Sequence, residues 1–352
     1  MIQPIGKSRG YLDHNATTPL RAETKRAMLG AMEVIGNPSS VHREGRAAKA
    51  ILDRARSQIS QAFGVGVDDI IFTSGATEAA ALALAGRSFR SADIEHDAVA
   101  AWVKSDLAII SGQVQIVDPS TMAIQMANSE TGVIQEIPKG LGFCDMTQAF
   151  GKIAVSFAWT GADKACASAH KLGGPKGIGC LMVQPGIETS AQIKGGGQEM
   201  GRRAGTENII GIAGFGAAAE AAAQDLASGK WSYVRNLRDY LQNTLETSGR
   251  NITCIGKDYT RLPNTLCFAA PGWKAETQVM QMDLAGFAIS AGSACSSGKV
   301  KASRVVLSMG YGEEIANSAV RVSLGLGNTQ EEVEQFAGAW LTAHDRFLAR
   351  SA

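Results

Sequence analysis

An excess of charge of either sign is missing from this chain: 34 Lys and Arg stand against 33 Asp and Glu, a net charge of +1. No global field exists to concentrate nucleic acid or an anionic membrane, so any anion must be held locally. A long apolar run is missing too. The longest, around Ile209 to Ala219, ends at Glu220, short of the roughly 20 residues a membrane span needs, and the N-terminus has no apolar signal core. The expected setting is cytoplasmic, with reduced thiols. The six cysteines (Cys144, Cys166, Cys180, Cys254, Cys267, Cys295) include no C-x-x-C pair and no histidine partner at zinc spacing, which argues against a metal centre or a disulfide framework. Internal repeats and low-complexity tracts are also absent.

What is present is a chain of 352 residues, 45% of them apolar, long enough for one large core or two linked ones. Its 40 glycines cluster in short strings such as Gly195-Gly196-Gly197, a sign of backbone approaching a ligand. Helical spacing runs through Leu20 to Ile35 and Arg43 to Phe63. The β-prone run Ile70-Ile71-Phe72 follows, then Thr73-Ser74-Gly75 and an alanine-rich helix from Ala76 to Ala85. Further short strands are expected at Leu107 to Ile110, Ala123 to Met126, Ile153 to Phe157 and Gly179 to Val183, the pattern of an open α/β sheet. An alanine-rich helix from Thr206 to Leu226 is broken at Ser228-Gly229, where a domain boundary is expected. The remainder reads as a smaller α+β domain, with strands at Thr265 to Phe268 and Val320 to Leu324 and helices at Glu276 to Leu284 and Thr329 to Leu348.

The most informative segment is Ser168-Ala169-His170-Lys171-Leu172-Gly173-Gly174-Pro175-Lys176-Gly177. Its first lysine follows an apolar, small-residue stretch and precedes a glycine-rich turn. Partial desolvation there favours the neutral amine, which attacks carbonyls, so Lys171 is the candidate Schiff-base former, although a lone lysine beside glycines is more often a solvated loop lysine. The turn Thr73 to Glu78 opens a helix whose N-terminus would suit an anion, or is simply a helix cap. A P-loop or dinucleotide reading is weak, because Lys176 is followed by glycine rather than Ser or Thr and no G-x-G-x-x-G joins a strand to a helix.

The string His170-Lys171-x-x-Gly-Pro-Lys-Gly resembles the cofactor-lysine motif of the class V, pyridoxal-phosphate-dependent aminotransferases. Together with the other segments it resembles the NifS-like cysteine desulfurases, from Tyr11-Leu12-Asp13-His14-Asn15-Ala16-Thr17-Thr18-Pro19 to Val320-Arg321-Val322-Ser323-Leu324-Gly325. The resemblance implies the PLP-dependent transferase fold type I, an α/β fold with a large domain of mostly parallel sheet flanked by helices plus a smaller α+β domain. The large, cofactor-binding domain would span 14–230; the small one, 1–13 and 231–352, would carry the catalytic cysteine. It implies a phosphate held by Ala76, Thr77, Ser168 and His170. Asp145, in Asp145-Met146-Thr147-Gln148, would face the ring nitrogen, Gln148 the ring hydroxyl oxygen, and His96 would stack on the ring and help move protons. Asn128 is the matching substrate contact. Ser129 stands where relatives have a second asparagine, a ring contact, and its hydroxyl would donate instead. Thr206, closing the segment from Gly195, would reach the phosphate bound by a second copy, which implies a homodimer.

Cys295 lies in the small, polar stretch Ser290 to Gly298, whereas Cys144, Cys166, Cys180 and Cys267 lie among apolar neighbours, so Cys295 is the candidate nucleophile. The 26 residues from Cys295 to Arg321 leave room for a long loop to carry sulfur outward. Arg321 interrupts an apolar strand. It is suited to fork onto a substrate α-carboxylate, the role the resemblance gives it, or else to a structural ion pair. The implied activity is conversion of L-cysteine to L-alanine with pyridoxal 5'-phosphate, leaving a persulfide on Cys295 for a sulfur-acceptor protein. The alternatives are a selenocysteine lyase or another class V enzyme, and a catalytically silent sulfur-assembly subunit. One departure stands out: the stretch from Gly132 to Asp145 is short for a parallel crossover, so its helix is expected to be truncated or lost.

Overall fold

A computed structural model describes residues 9–292 and 302–351. It contains two compact units: residues 17–128 and 135–228 form the larger, and residues 9–16, 129–134 and 229 onward form the smaller.

The larger unit opens with helices α1 (Ala22–Met32) and α2 (Arg43–Phe63). In α2 the buried positions Ala48, Leu52, Ala55, Ile59 and Phe63 recur at steps of three and four, one stripe of a 3.6-residue helix. The helix stops at Gly64, which takes the left-handed conformation that glycine adopts without steric cost. After it come strand β1 (Ile70–Thr73), α3 (Ala76–Leu84), β2 (Phe89–Ala92), the short α4 (Asp97–Ala100), β3 (Val103–Leu107), β4 (Ala123–Gln125), β5 (Phe143–Asp145), β6 (Lys164–Ser168), β7 (Gly179–Val183) and the long helix α5 (Ile209–Ala227). The sheet order is β1-β7-β6-β5-β4. Strands β4, β5 and β6 are parallel; β7 runs against both β1 and β6. The parallel pair β2–β3 extends this array through a parallel bridge from Arg90 to Met122. The sheet is therefore mostly parallel, as expected. The reversal of β7 follows from the turn after Lys171, which is too short for a parallel crossover.

One expectation fails here, and another, the loss of the crossover helix before Asp145, is met. Ile153 to Phe157 is not a strand: it is loop running into a helical turn at Phe157–Thr160. Strand β6 already has β5 on one side and β7 on the other, so no ladder position beside it is left. Between β4 and β5 the crossover contains no helix at all.

The smaller unit holds α6 (Trp231–Glu246), β8 (Thr253–Ile255), β9 (Thr265–Ala269), α7 (Ala275–Leu284), β10 (Ser290–Ala291), α8 (Arg304–Ser308), α9 (Glu313–Ser318), β11 (Ala319–Ser323) and α10 (Gln330–Ser351). Its sheet, β8-β9-β11-β10, is antiparallel throughout. The core packs Leu237, Leu241, Phe268, Trp273, Phe336 and Trp340, each at most 1% exposed. Between Cys295 and Arg321 the described part, from residue 302 on, is mostly not loop, since α8 and α9 occupy much of it. Among the described residues, no helix is long and apolar enough to cross a membrane.

Candidate functional site

The carboxyl ends of β1, β6, β5 and β4 lie along one edge of the large sheet, and the register brings Thr73, Ser168, Asp145 and Gln125 there. Gly179 sits opposite both Thr73, the last residue of β1, and Ser168, the last of β6. Only glycine fits at 179. A Cβ would lie 2.6 Å from the Ala167 carbonyl oxygen and 2.8 Å from the Gly75 backbone, so the turn into α3 is pressed against the lysine-bearing strand. Asp145 ends β5 opposite Cys166 of β6, and Gln125 ends β4 opposite Asp145.

At the α3 N-terminus, Gly75 makes no side-chain cap. Ala76 is half-buried and Thr77 exposed. Glu78 reaches back to the Ser74 N–H at 2.7 Å and pairs with Arg203 at 2.9 Å. Burial alone would raise the Glu78 pKa, but hydrogen bonds from Arg203 and Ser74 outweigh it and hold it below the usual carboxylate range. The same pair ties the segment from Gly195 to Thr206 to α3, with Thr206 exposed.

Lys171 ends a tight turn, Ala169–Lys171, and is half-buried. The turn is held from outside by the segment after Ala16. Thr18 N–H donates to the His170 carbonyl at 2.8 Å, Arg21 Nε to the Leu172 carbonyl at 2.6 Å, and Thr17 Oγ1 lies 3.2 Å from His170 Nδ1. Arg21 is paired in turn with Asp225 of α5. Burial, then the charges of Lys171, Lys176, Lys152 and His96, push the His170 pKa down to about 4. The imidazole is thus neutral at pH 7, and the cations around it make a local anion-attracting field of the kind the neutral composition demanded.

Asp145 is buried, with Oδ1 accepting from Thr147 N–H at 2.9 Å and the Cys166 thiol at 3.4 Å. Gln148, also buried, accepts through Oε1 from the buried ammonium of Lys152, which fixes which end of the amide can donate elsewhere. His96 is exposed and caps α4, its Nδ1 accepting from Ala98 N–H at 3.1 Å, so its ring orientation is set. Buried Asn128 donates to the Ile94 carbonyl at 3.1 Å. This donor and acceptor set fits pyridoxal 5'-phosphate: an amine for its aldehyde, a carboxylate for its pyridinium, an amide for its phenolic oxygen, and cations for its phosphate.

In the smaller unit, Arg321 lies on β11 between Cys267 of β9 and Ser290 of β10 and is 7% exposed. It makes the ion pair that its sequence context left open, with Asp13 at 2.7 Å, and it also donates to the Ser129 carbonyl at 2.9 Å. That carbonyl also accepts from Asn15 Nδ2. Cys295 lies outside the described residues. The other cysteines, Cys144, Cys166, Cys180, Cys254 and Cys267, are free and buried, and burial pushes every one of those thiols up. A cavity of about 520 Å³ is lined among others by Arg56, Glu199, Met200 and Glu207, and not by Lys171.

Sequence reading missed Lys152, Arg203, Thr17 and Asp13 as individual contributors. Lys152 stands four residues from Gln148, a spacing that signals contact only on a known helix; the others act across long sequence separations.

The aminotransferase class-V family model matches residues 10–106 and 92–336. A cysteine desulfurase IscS of Dictyoglomus turgidum is 34% identical, covering 93% of this chain and 92% of its own. A cysteine desulfurase of a Frankia species is 36% identical over 93% of this chain and 89% of its own. Among solved structures, a NifS-like protein from Rickettsia africae superposes with a TM-score of 0.85 at 31% identity, covering 96% of this chain and all of that one. SspA in complex with cysteine gives a TM-score of 0.74 at 25% identity over 90% of this chain and 99% of that one.

Proposed function

We propose, from the premise that the chain belongs to the aminotransferase class-V family and is a cysteine desulfurase, that it binds pyridoxal 5'-phosphate at the carboxyl edge of the large sheet and passes the sulfur of L-cysteine to Cys295. These families depend on that cofactor in general. What carries the reading is the convergence on one sheet edge of Thr73 to Thr77, Asp145 to Gln148 and Ser168 to Lys171, locked by Gly179 opposite both flanking strands.

When bound, the cofactor supplies a protonated pyridine ring that draws electrons from the substrate α-carbon. Asp145 holds the proton at the ring nitrogen. Gln148, with its carbonyl taken by Lys152, presents its amide N–H to the phenolic oxygen. Ser168, His170, Ala76 and Thr77 hold the phosphate, His96 covers the ring face, and Ser129 contributes its hydroxyl. Lys171 would carry the cofactor and would take the substrate α-proton at Nζ. Asn128 contacts the substrate, and Arg321 holds its α-carboxylate. The Cys295 thiolate forms an S–S bond as the carbon–sulfur bond of the substrate breaks, leaving alanine. This role falls to Cys295 because the other thiols are buried and held protonated. Thr206, exposed on a segment anchored by Arg203, reaches the phosphate in a second copy, making a homodimer the working form.

The test is incubation of the cofactor-loaded protein with L-cysteine and a thiol reductant, following alanine and sulfide. Stoichiometric production of both is expected. Lys171→Ala should lose about a hundredfold or more in rate and yield no borohydride-fixed cofactor peptide. A cofactor peptide mapping to another lysine would refute the assignment of Lys171. Undiminished sulfur release by Cys295→Ala would refute the persulfide role, and a protein that never takes up cofactor would be the silent subunit.

A further inference from the structure

We propose that Asp13 is the positioning residue of the Arg321 carboxylate clamp, turning the guanidinium so that its Nε edge, not its Nη edge, meets the substrate. This rests on the reading of Arg321 as the α-carboxylate site. A guanidinium has five N–H donors in a fixed plane, and which edge is open depends on what fills the others. Here both terminal nitrogens are engaged by the protein: Nη2 with Asp13 Oδ1 at 2.7 Å, Nη1 with the Ser129 carbonyl at 2.9 Å. Among the described residues, Arg321 Nε is buried and has no hydrogen-bond partner. A buried N–H left so is penalised, and a carboxylate taken side-on by Nε and the second hydrogen of a neighbouring terminal nitrogen removes that penalty.

Asp13 is built to stay where it is. Its second oxygen, Oδ2, accepts from Ser290 Oγ at 2.8 Å, and its own carbonyl accepts from the Tyr11 hydroxyl at 3.1 Å. Its backbone is bridged to Ser323, two residues from Arg321, and His14 N–H donates to the Ser323 carbonyl at 3.0 Å. One carboxylate oxygen is therefore fixed to β10 and the other to Arg321 on β11. Asp13 also neutralises a guanidinium whose side chain is only 9% exposed, against 15% for its own. A substrate carboxylate displacing Asp13 from Nη2 would have to break this set of contacts; one arriving at Nε and at the remaining hydrogen of a terminal nitrogen breaks none.

The experiment measures kcat and KM for L-cysteine in the holoenzyme, and the dissociation constants of L-cysteine and cysteamine, which lacks the carboxylate, from the change in visible absorbance. Asp13→Ala should raise KM about tenfold or more with a smaller effect on kcat, and cut the preference for L-cysteine over cysteamine by a similar factor. Asp13→Asn, whose amide oxygen can accept the same bond from Nη2, should recover most of both. Unchanged KM and preference in Asp13→Ala, equal weakening of both ligands, or tighter cysteine binding would each overturn the proposal. Should Asp13→Ala prove insoluble, Ser290→Ala replaces it, and an unchanged preference there would equally overturn it. Arg321→Ala separates the two levels. If it abolishes the preference while Asp13→Ala leaves it intact, positioning fails but the clamp stands; if it leaves the preference intact, the clamp reading itself fails.

Discussion

Lys164, the first residue of β6, buries an amine with 1% of the residue exposed, its Nζ donating to the Glu188 carbonyl at 3.0 Å. Burial, then the neighbouring charge of Arg87, push its pKa from 10.5 down to about 8 against the opposing pull of Asp163. Between those values the unfolded chain binds more protons than the folded one. Stability therefore rises with pH across that window, and below pH 8 the folded protein bears the full cost of a buried ammonium. The drop from 10.5 to about 8 is equivalent to about 3 kcal/mol. Lys164→Met keeps the apolar stem and removes the charge, at the expense of the hydrogen bond to Glu188, about 1 kcal/mol. The variant should thus be more stable than the parent by about 2 kcal/mol at pH 7, an advantage that vanishes near pH 10, where the parent amine is already neutral when folded. Equilibrium urea unfolding at both pH values measures this. A variant less stable at pH 7, or a difference that does not change with pH, would refute the account.

Asp225→Ala strips the partner from the largely buried Arg21 guanidinium, which should cost about 3–5 kcal/mol; because Arg21 also holds the Leu172 carbonyl beside Lys171, activity should fall with it, and Asp225→Asn should soften both losses. Phe63, 2% exposed, stacks on Phe150 at 3.8 Å and tilts against Phe215 at 6.0 Å, so Phe63→Ala should lose about 3–5 kcal/mol in urea unfolding while the folded fraction keeps its KM. In cofactor-free protein the His170 ring should titrate near pH 4 by NMR; a midpoint near 6.5 would show that its burial and the surrounding cations do not act as described. Adding inorganic phosphate should raise that midpoint, since an anion favours the protonated ring.

Much of the larger unit is legible because its signals are local. The stripe of α2, the turn into α3 and the glycine-rich turn after Lys171 all lie in short windows. The strand expected at Ile153 to Phe157 failed for a non-local reason: the places beside β6 belong to β5 and β7, and no window of sequence shows that. The reversal of β7 was legible in principle, since a short turn cannot return a strand in parallel. Asp145, Gln148 and His170 are found by motif, but what fixes them is not. The Cys166 thiol on Asp145 and the Lys152 ammonium on Gln148 become visible only once strands are paired and the turn after β5 is folded. Asp13 and Arg321 lie 308 positions apart, beyond any periodicity argument.

That last separation bears on how the polypeptide is made. The partners of Arg321 emerge from the ribosome first, with Asp13, and midway, with Ser129, 192 positions ahead of the arginine itself. Tyr11 to Ala16 must wait until β11, whose Arg321 follows Asp13 by 308 positions, exists to receive them, while the larger unit can close around β1, β6 and β7 long beforehand. Synthesis of β11, rather than collapse of the large sheet, then sets the moment at which the arginine is oriented, and a product terminated ahead of it would leave residues 11–16 without their strand.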